Sequence, residues 1–116
     1  MTGTAGELAG IGEVLAALAD PTRRRLLDAL AARGEATATT LSAELPVTRQ
    51  AVVKHLAVLE RAGLVEGRRR GREVRYAVRA APLDATARWM AGLAEEWDTR
   101  LAAIKRIAES AQPADD

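Results

Sequence analysis

Apolar residues change their spacing along this chain, and each change marks an element. Leu8, Ile11, Leu15 and Leu18 recur three and four apart, which places them on one stripe of a first helix. Asp20-Pro21 restarts the chain, because Asp accepts free backbone N–H groups as an N-cap and Pro suits the first helical position. A second helix is predicted from Pro21 to about Ala32, with Leu26, Leu27 and Leu30 inward and Gly34 as its stop. Thr37-Ala38-Thr39-Thr40 offers hydroxyl caps for a short third helix through about Leu45, which Pro46 cannot continue. Thr48 caps a fourth helix over 48–62, in which Val52, Leu56 and Leu59 form the inward stripe and Ala51 permits close approach to the preceding helix.

After Gly63 the period falls to two. Leu64-Val65 opens a strand, and Val74, Tyr76 and Val78 alternate as a second one with Arg75 and Arg79 on the opposite face. Gly71, set among four arginines, suits a tight hairpin with a cationic tip, so that 64–79 reads as a wing. Beyond Pro82 a long helix is predicted over 83–110. Its Leu83, Ala87, Met90, Ala94, Trp97, Leu101, Ile104 and Ala108 alternate steps of four and three, a seam that calls for a partner helix. The expected organisation is a loose N-terminus at 1–6, one domain over 7–110 and a flexible tail at 111–116. Its fold class is mainly α with a small β-hairpin, a winged helix-turn-helix.

Charge sharpens this picture. Residues 49–79 hold nine Lys/Arg against three acids, a balance of +6, while 1–48 and 80–116 sum to −2 and −3. The whole-chain value of +1 hides that asymmetry, which concentrates attraction for phosphate in the fourth helix and the wing. A chain of 116 residues is about one domain. Phe is absent, so Leu, Val, Ile and Ala must build the core. The absence of cysteine excludes disulfides and thiolate metal sites and fits a reducing cytoplasm. No stretch approaches the roughly 18 apolar residues of a membrane span, and the N-terminus lacks a signal-peptide layout. No membrane association is expected.

The fourth helix turns Arg49, Gln50, Val53 and Lys54 outward near its N-terminal end, the end that enters the major groove in helix-turn-helix proteins. Arg pairs with guanine O6 and N7, Gln with adenine N6 and N7, and Val with a thymine methyl. These four are the expected base readers. Thr48, His55, Arg68, Arg69, Arg70, Arg72 and Arg75 are expected mainly to contact the DNA backbone. Taken alone, an amphipathic helix is more often core packing; the capped helix and Pro break before it and the arginine-rich hairpin after it reverse that weighting. Arg23-Arg24-Arg25 reads as a solvated face, with Arg24 four residues before Asp28, or alternatively as a phosphate contact. His55, the sole histidine, lacks companions for a metal site. Trp89 and Trp97 read as dimer core before ligand pocket. No nucleophile, base and glycine loop assemble as an enzyme would require.

Three runs carry a resemblance to a known family: Ala19-Asp20-Pro21-Thr22-Arg23-Arg24-Arg25-Leu26-Leu27, then Leu45-Pro46-Val47-Thr48-Arg49-Gln50-Ala51-Val52-Val53-Lys54-His55-Leu56, and Leu59-Glu60-Arg61-Ala62-Gly63-Leu64-Val65. Over roughly residues 8–110 the chain resembles the ArsR (ArsR/SmtB) winged helix-turn-helix regulators. The resemblance implies a cytoplasmic, bacterial repressor that binds double-stranded DNA as a homodimer joined through the first and last helices. Leu8, Ile11, Leu15, Trp89, Met90, Trp97, Leu101 and Ile104 are the expected dimer contacts. It does not carry over the family's metal chemistry. Where relatives place cysteines in the third helix this chain has Thr40-Leu41-Ser42-Ala43-Glu44, and 83–110 contain no His for the alternative site on the last helix. No metal or other cofactor is expected, and the resemblance leaves open a response to a small organic ligand, to a partner protein, or simply to the regulator's own concentration at its own promoter. The competing readings are a winged-helix protein-interaction module and a regulator answering to a small organic ligand.

Overall fold

The computed structural model describes residues 5–111. The expected loose ends, 1–6 and 111–116, lie largely outside the described residues. The elements are α1 (Ala5–Leu18), α2 (Pro21–Arg33), β1 (Ala36–Thr37), α3 (Ala38–Glu44), α4 (Arg49–Arg61), β2 (Val65–Arg70), β3 (Glu73–Val78) and α5 (Ala81–Ala111). The chain forms two compact units, one ending at Thr86 and the other beginning at Ala87 within α5. No helix among the described residues is long and apolar enough to cross a membrane.

Local chemistry sets the helix ends. Asp20 caps α2 by accepting from Arg23 N at 3.0 Å, Thr37 caps α3 through Thr40 N at 3.1 Å, and Thr48 caps α4 through Ala51 N at 3.1 Å. Gly63, at φ 78°, closes α4: its N–H reaches the Glu60 carbonyl and the Leu64 N–H reaches that of Leu59, both at 2.9 Å. Those paired bonds are a Schellman motif, in which glycine takes the left-handed position at no steric cost.

The core of the first unit is aliphatic. Leu26, Leu30, Leu41, Val52, Leu56, Leu59 and Leu64 are fully buried, joined by Leu27, Val65 and by Val14 and Ala17 of α1. The inward stripes expected on α2 and α4 are therefore the ones observed. On α1 the face packed into this core is Val14 and Ala17, while Leu8 and Leu15 remain exposed and Ile11 and Leu18 are half-buried. Helix α1 is apolar nearly all round and so offers two faces, one to the core and one outward.

The wing differs in one respect from the two-stranded hairpin expected. The strand order is β1-β3-β2, all antiparallel, with Ala36 opposite Tyr76 and Thr37 opposite Arg75. Strand β3 is thus central, paired with β1 at Arg75 and Tyr76 and with β2 along its length, and Val74 to Val78 are half-buried without alternation. A two-residue strand carries no detectable period, which is why β1 went unanticipated. The turn Gly71-Arg72 joins β2 to β3, with Gly71 at φ 63°, as a two-residue hairpin favouring Gly first requires.

Gly67 faces Tyr76 across the β2–β3 ladder, and a Cβ there would sit 2.9 Å from the Tyr76 ring and 3.1 Å from Val74 Cγ1. Gly67→Ala is therefore expected to push the ring off the strand and cost about 1–3 kcal/mol, read as a lowered thermal midpoint. An unchanged midpoint would show that the ring moves freely.

Candidate nucleic-acid interface

Helix α4 stands on its buried Val52, Leu56 and Leu59, which leaves Arg49, Gln50, Val53 and Lys54 exposed together on one outer face. The wing supplies the second half of the surface. Its period of two puts Gly67 and Arg69 on the face shared with Val74 and Tyr76, and Arg68 and Arg70 on the other. An open groove runs between these elements, lined by Thr39 of α3, Arg49 and Val53 of α4, and Arg69, Arg72 and Tyr76 of the wing. Burial pushes the Tyr76 hydroxyl above its ordinary pKa and Glu60 raises it further, while the Arg49 guanidinium opposes both. Glu60 also accepts from Gly67 N at 3.3 Å, tying the end of α4 to the wing.

The arginines divide by partner. Arg75 pairs with Glu35 at 3.2 Å, fastening β3 to the segment before β1, and Arg68 lies 3.5 Å from Glu66. Arg33 pairs with Glu44, linking the ends of α2 and α3. Among the described residues Lys54, Arg69, Arg70 and Arg72 have no carboxylate partner and are exposed. Arg49 donates from Nε to Thr39 Oγ1 at 3.1 Å.

His55 is half-buried and turns toward α2. Its Nδ1 lies 3.4 Å from Arg23 Nη1 and 3.9 Å from Asp20 Oδ2. Arg23 also donates to the carbonyls of Ala17 at 2.7 Å and Ala16 at 3.3 Å, and Arg24 donates to that of Leu18 at 2.5 Å. Both arginines thus cap the C-terminus of α1, where a cation meets the negative end of the helix dipole. Sequence spacing had pointed Arg24 to Asp28; the nearby helix end offers it unpaired carbonyls instead. The Arg23 backbone N–H holds the Asp20 carboxyl below its ordinary value of 3.8, against opposing burial, with the charges of His55 and Arg23 adding to the effect. A depressed carboxylate pKa stabilises the fold above that ordinary value and loses this as pH falls through the folded pKa. Thermal midpoints of the wild type should therefore drop below about pH 4 by a component that Asp20→Ala lacks; parallel curves would remove Asp20 from that role.

Thr39 and Tyr76 were read from the sequence only as a cap and a strand residue, and Gly67 and Glu35 were not singled out. Each acts across elements, and only Gly67, an isolated glycine within a strand, carried a local sign.

The helix-turn-helix domain family matches residues 18–68. The ArsR-like transcriptional regulator from Rhodococcus sp. RHA1 superposes with a TM-score of 0.80 at 47% identity, over 90% of this chain and 97% of that one. The chain belongs to the ArsR family of transcriptional regulators. This ArsR-family chain is also 46% identical over 65 residues to the HTH-type transcriptional regulator YuzN of Bacillus subtilis (strain 168), spanning 51% of itself and 71% of that protein. The transcriptional repressor SdpR of the same organism is 28% identical over 91 residues, which cover 78% of this chain and 100% of SdpR. The ArsR family consists of DNA-binding regulators, not enzymes, and the fold is its winged helix-turn-helix. Among the described residues of this ArsR protein, no three His, Asp or Glu side chains gather as a metal ion would require.

Proposed function

We propose that this regulator is a cytoplasmic, metal-independent repressor that binds an inverted-repeat operator as a homodimer. The observation that carries it is the exposed set Arg49, Gln50, Val53 and Lys54 beside the unpaired wing cations Arg69 and Arg72. Arg49, Gln50, Val53 and Lys54 enter the major groove and read bases; Arg69, Arg70 and Arg72 hold the phosphates. Thr48 and His55, occupied in capping α4 and in bonding Arg23, act by setting the helix in place. Arg68 and Arg75 likewise shape the wing through Glu66 and Glu35.

The dimer forms through the exposed Leu8 and Leu15 and the half-buried Ile11 of α1, and through Trp89, Met90, Trp97, Leu101 and Ile104 of α5. Support comes from the exposure of Met90 at 51%, Trp97 at 49%, Leu101 at 56% and Ile104 at 58% along one α5 stripe, too large an apolar surface to leave in water. Two-fold symmetry then requires half-sites separated by about one helical turn or a multiple. Repression is supported by SdpR, a named repressor that aligns along its full length. Metal independence is supported by the lack of cysteine and of clustered ligands among the described residues.

The test is fluorescence anisotropy on a labelled fragment from upstream of this protein's own gene, against a scrambled fragment, across a salt series with zinc or chelator added. Tight, selective, metal-indifferent binding is expected. Arg72→Ala should weaken both fragments alike and reduce the salt slope by about 0.9, whereas Gln50→Ala should erase about 1–3 kcal/mol of preference at one base pair. Equal, weak binding to every fragment and to selected genomic sequences would favour a protein-interaction module instead.

A further inference from the structure

We propose that Thr39 is a specificity-positioning residue, its hydroxyl aligning Arg49 for base reading without neutralising it. This rests on the reading of α4 as the base-reading helix. Arg49 is the first residue of α4 and is exposed, so an unsupported side chain there would sample many rotamers and lose that freedom on reaching a base. Its Nε donates instead to Thr39 Oγ1 at 3.1 Å. A guanidinium has five N–H donors, and this bond uses the one on Nε. The four on Nη1 and Nη2 remain, and they form the fork that matches guanine O6 and N7.

The acceptor itself is held. Thr39 is β-branched and sits in the first turn of α3, which restricts its χ1. Ser42 Oγ donates to the Thr39 carbonyl at 2.9 Å, and Thr37 and Thr40 exchange capping bonds at 3.1 Å on the same turn. The chemistry of the acceptor matters as much as its place. Arg33 and Arg75 fasten elements together through carboxylates, which cancel their charge, whereas Arg23 and Arg24 bond backbone carbonyls at the end of α1. Arg49 is anchored to a neutral side-chain hydroxyl on a neighbouring helix, and no carboxylate among the described residues pairs with it. No ion pair offsets its charge in the groove, which Arg69, Arg72, Glu73 and Tyr76 also line.

The test is selection from a duplex library randomised over about two helical turns, using the full chain and its variants Thr39→Val, Thr39→Ser, Arg49→Ala and the Thr39→Val/Arg49→Ala pair. Thr39→Val should flatten preference by about threefold to tenfold at the base that Arg49→Ala also stops reading. Thr39→Ser should restore the preference, the double variant should match Arg49→Ala, and the Thr39 single variants should keep the wild-type salt slope. A Thr39→Val profile identical to wild type, or a uniform loss over all sequences, would overturn the alignment role while leaving Arg49 as a reader. An Arg49→Ala profile identical to wild type would instead overturn the base-reading assignment, and this inference with it. Thr39 is exposed, so none of these substitutions disturbs the core.

Discussion

Replacing Trp97 or Leu101 by Asp is expected to leave a folded monomer whose affinity for an inverted-repeat operator falls by about a hundredfold or more. The seam predicted on the last helix emerges as an exposed stripe on α5, extended at its sides by Leu93 at 37% and Ile107 at 67% exposure. Residues Met90, Trp97 and Ile104 are seven apart, with Leu101 between, the spacing at which two helices interlock. A buried tryptophan removes about 150–250 Å² from water, so a carboxylate in its place both forfeits that area and puts a charge in an apolar contact. DNA binding then loses the linkage that makes the second half-site contact intramolecular. Sedimentation equilibrium and operator titration check both parts. A variant that stayed dimeric would move the interface elsewhere, and a monomer that bound as tightly as wild type would sever dimerisation from recognition.

Leu56→Ala should unfold the protein readily. Leu56 is fully buried within the cluster that includes Leu26, Leu30, Leu41 and Leu59, and removing its isobutyl group costs about 2–5 kcal/mol. A domain of this size has about 5–15 kcal/mol in total, and each kcal/mol moves the midpoint by about 4–8 °C, so a fall of the order of 10–30 °C is expected by circular dichroism. Val53 provides the contrast. It lies three residues away on the same helix but is 39% exposed, so Val53→Ala should change stability by about 0.5 kcal/mol at most and act on base preference instead. Equal destabilisation by both would contradict the orientation of α4.

The difference between those two positions was legible in the sequence, because a spacing of 3.6 sets Val53 and Lys54 off the stripe of Val52, Leu56 and Leu59. Caps were legible for a similar reason: Asp20, Thr37 and Thr48 act within three residues of themselves. What stayed hidden were bonds between elements. Arg75 alternates out of β3 as a bare cation would, yet its partner Glu35 lies forty residues earlier. Arg23 reads as one of three surface arginines, yet it gathers the end of α1 and His55 of α4 around itself. Strand β1 is too short to show any period, and Thr39 looks like one more capping hydroxyl until α3 and α4 are set side by side.

Both tryptophans of this chain lie on α5, Trp89 half-buried and Trp97 exposed with Arg100 5.1 Å over its ring, while the core of the first unit is wholly aliphatic apart from the flank of Tyr76. Intrinsic emission excited in the indole band is therefore a reporter of the last helix alone. It should shift to the blue as protein concentration is raised through the association range, and stay nearly silent to small repackings around Leu56. An observer following fluorescence and one following helical ellipticity would record two different transitions in the same sample.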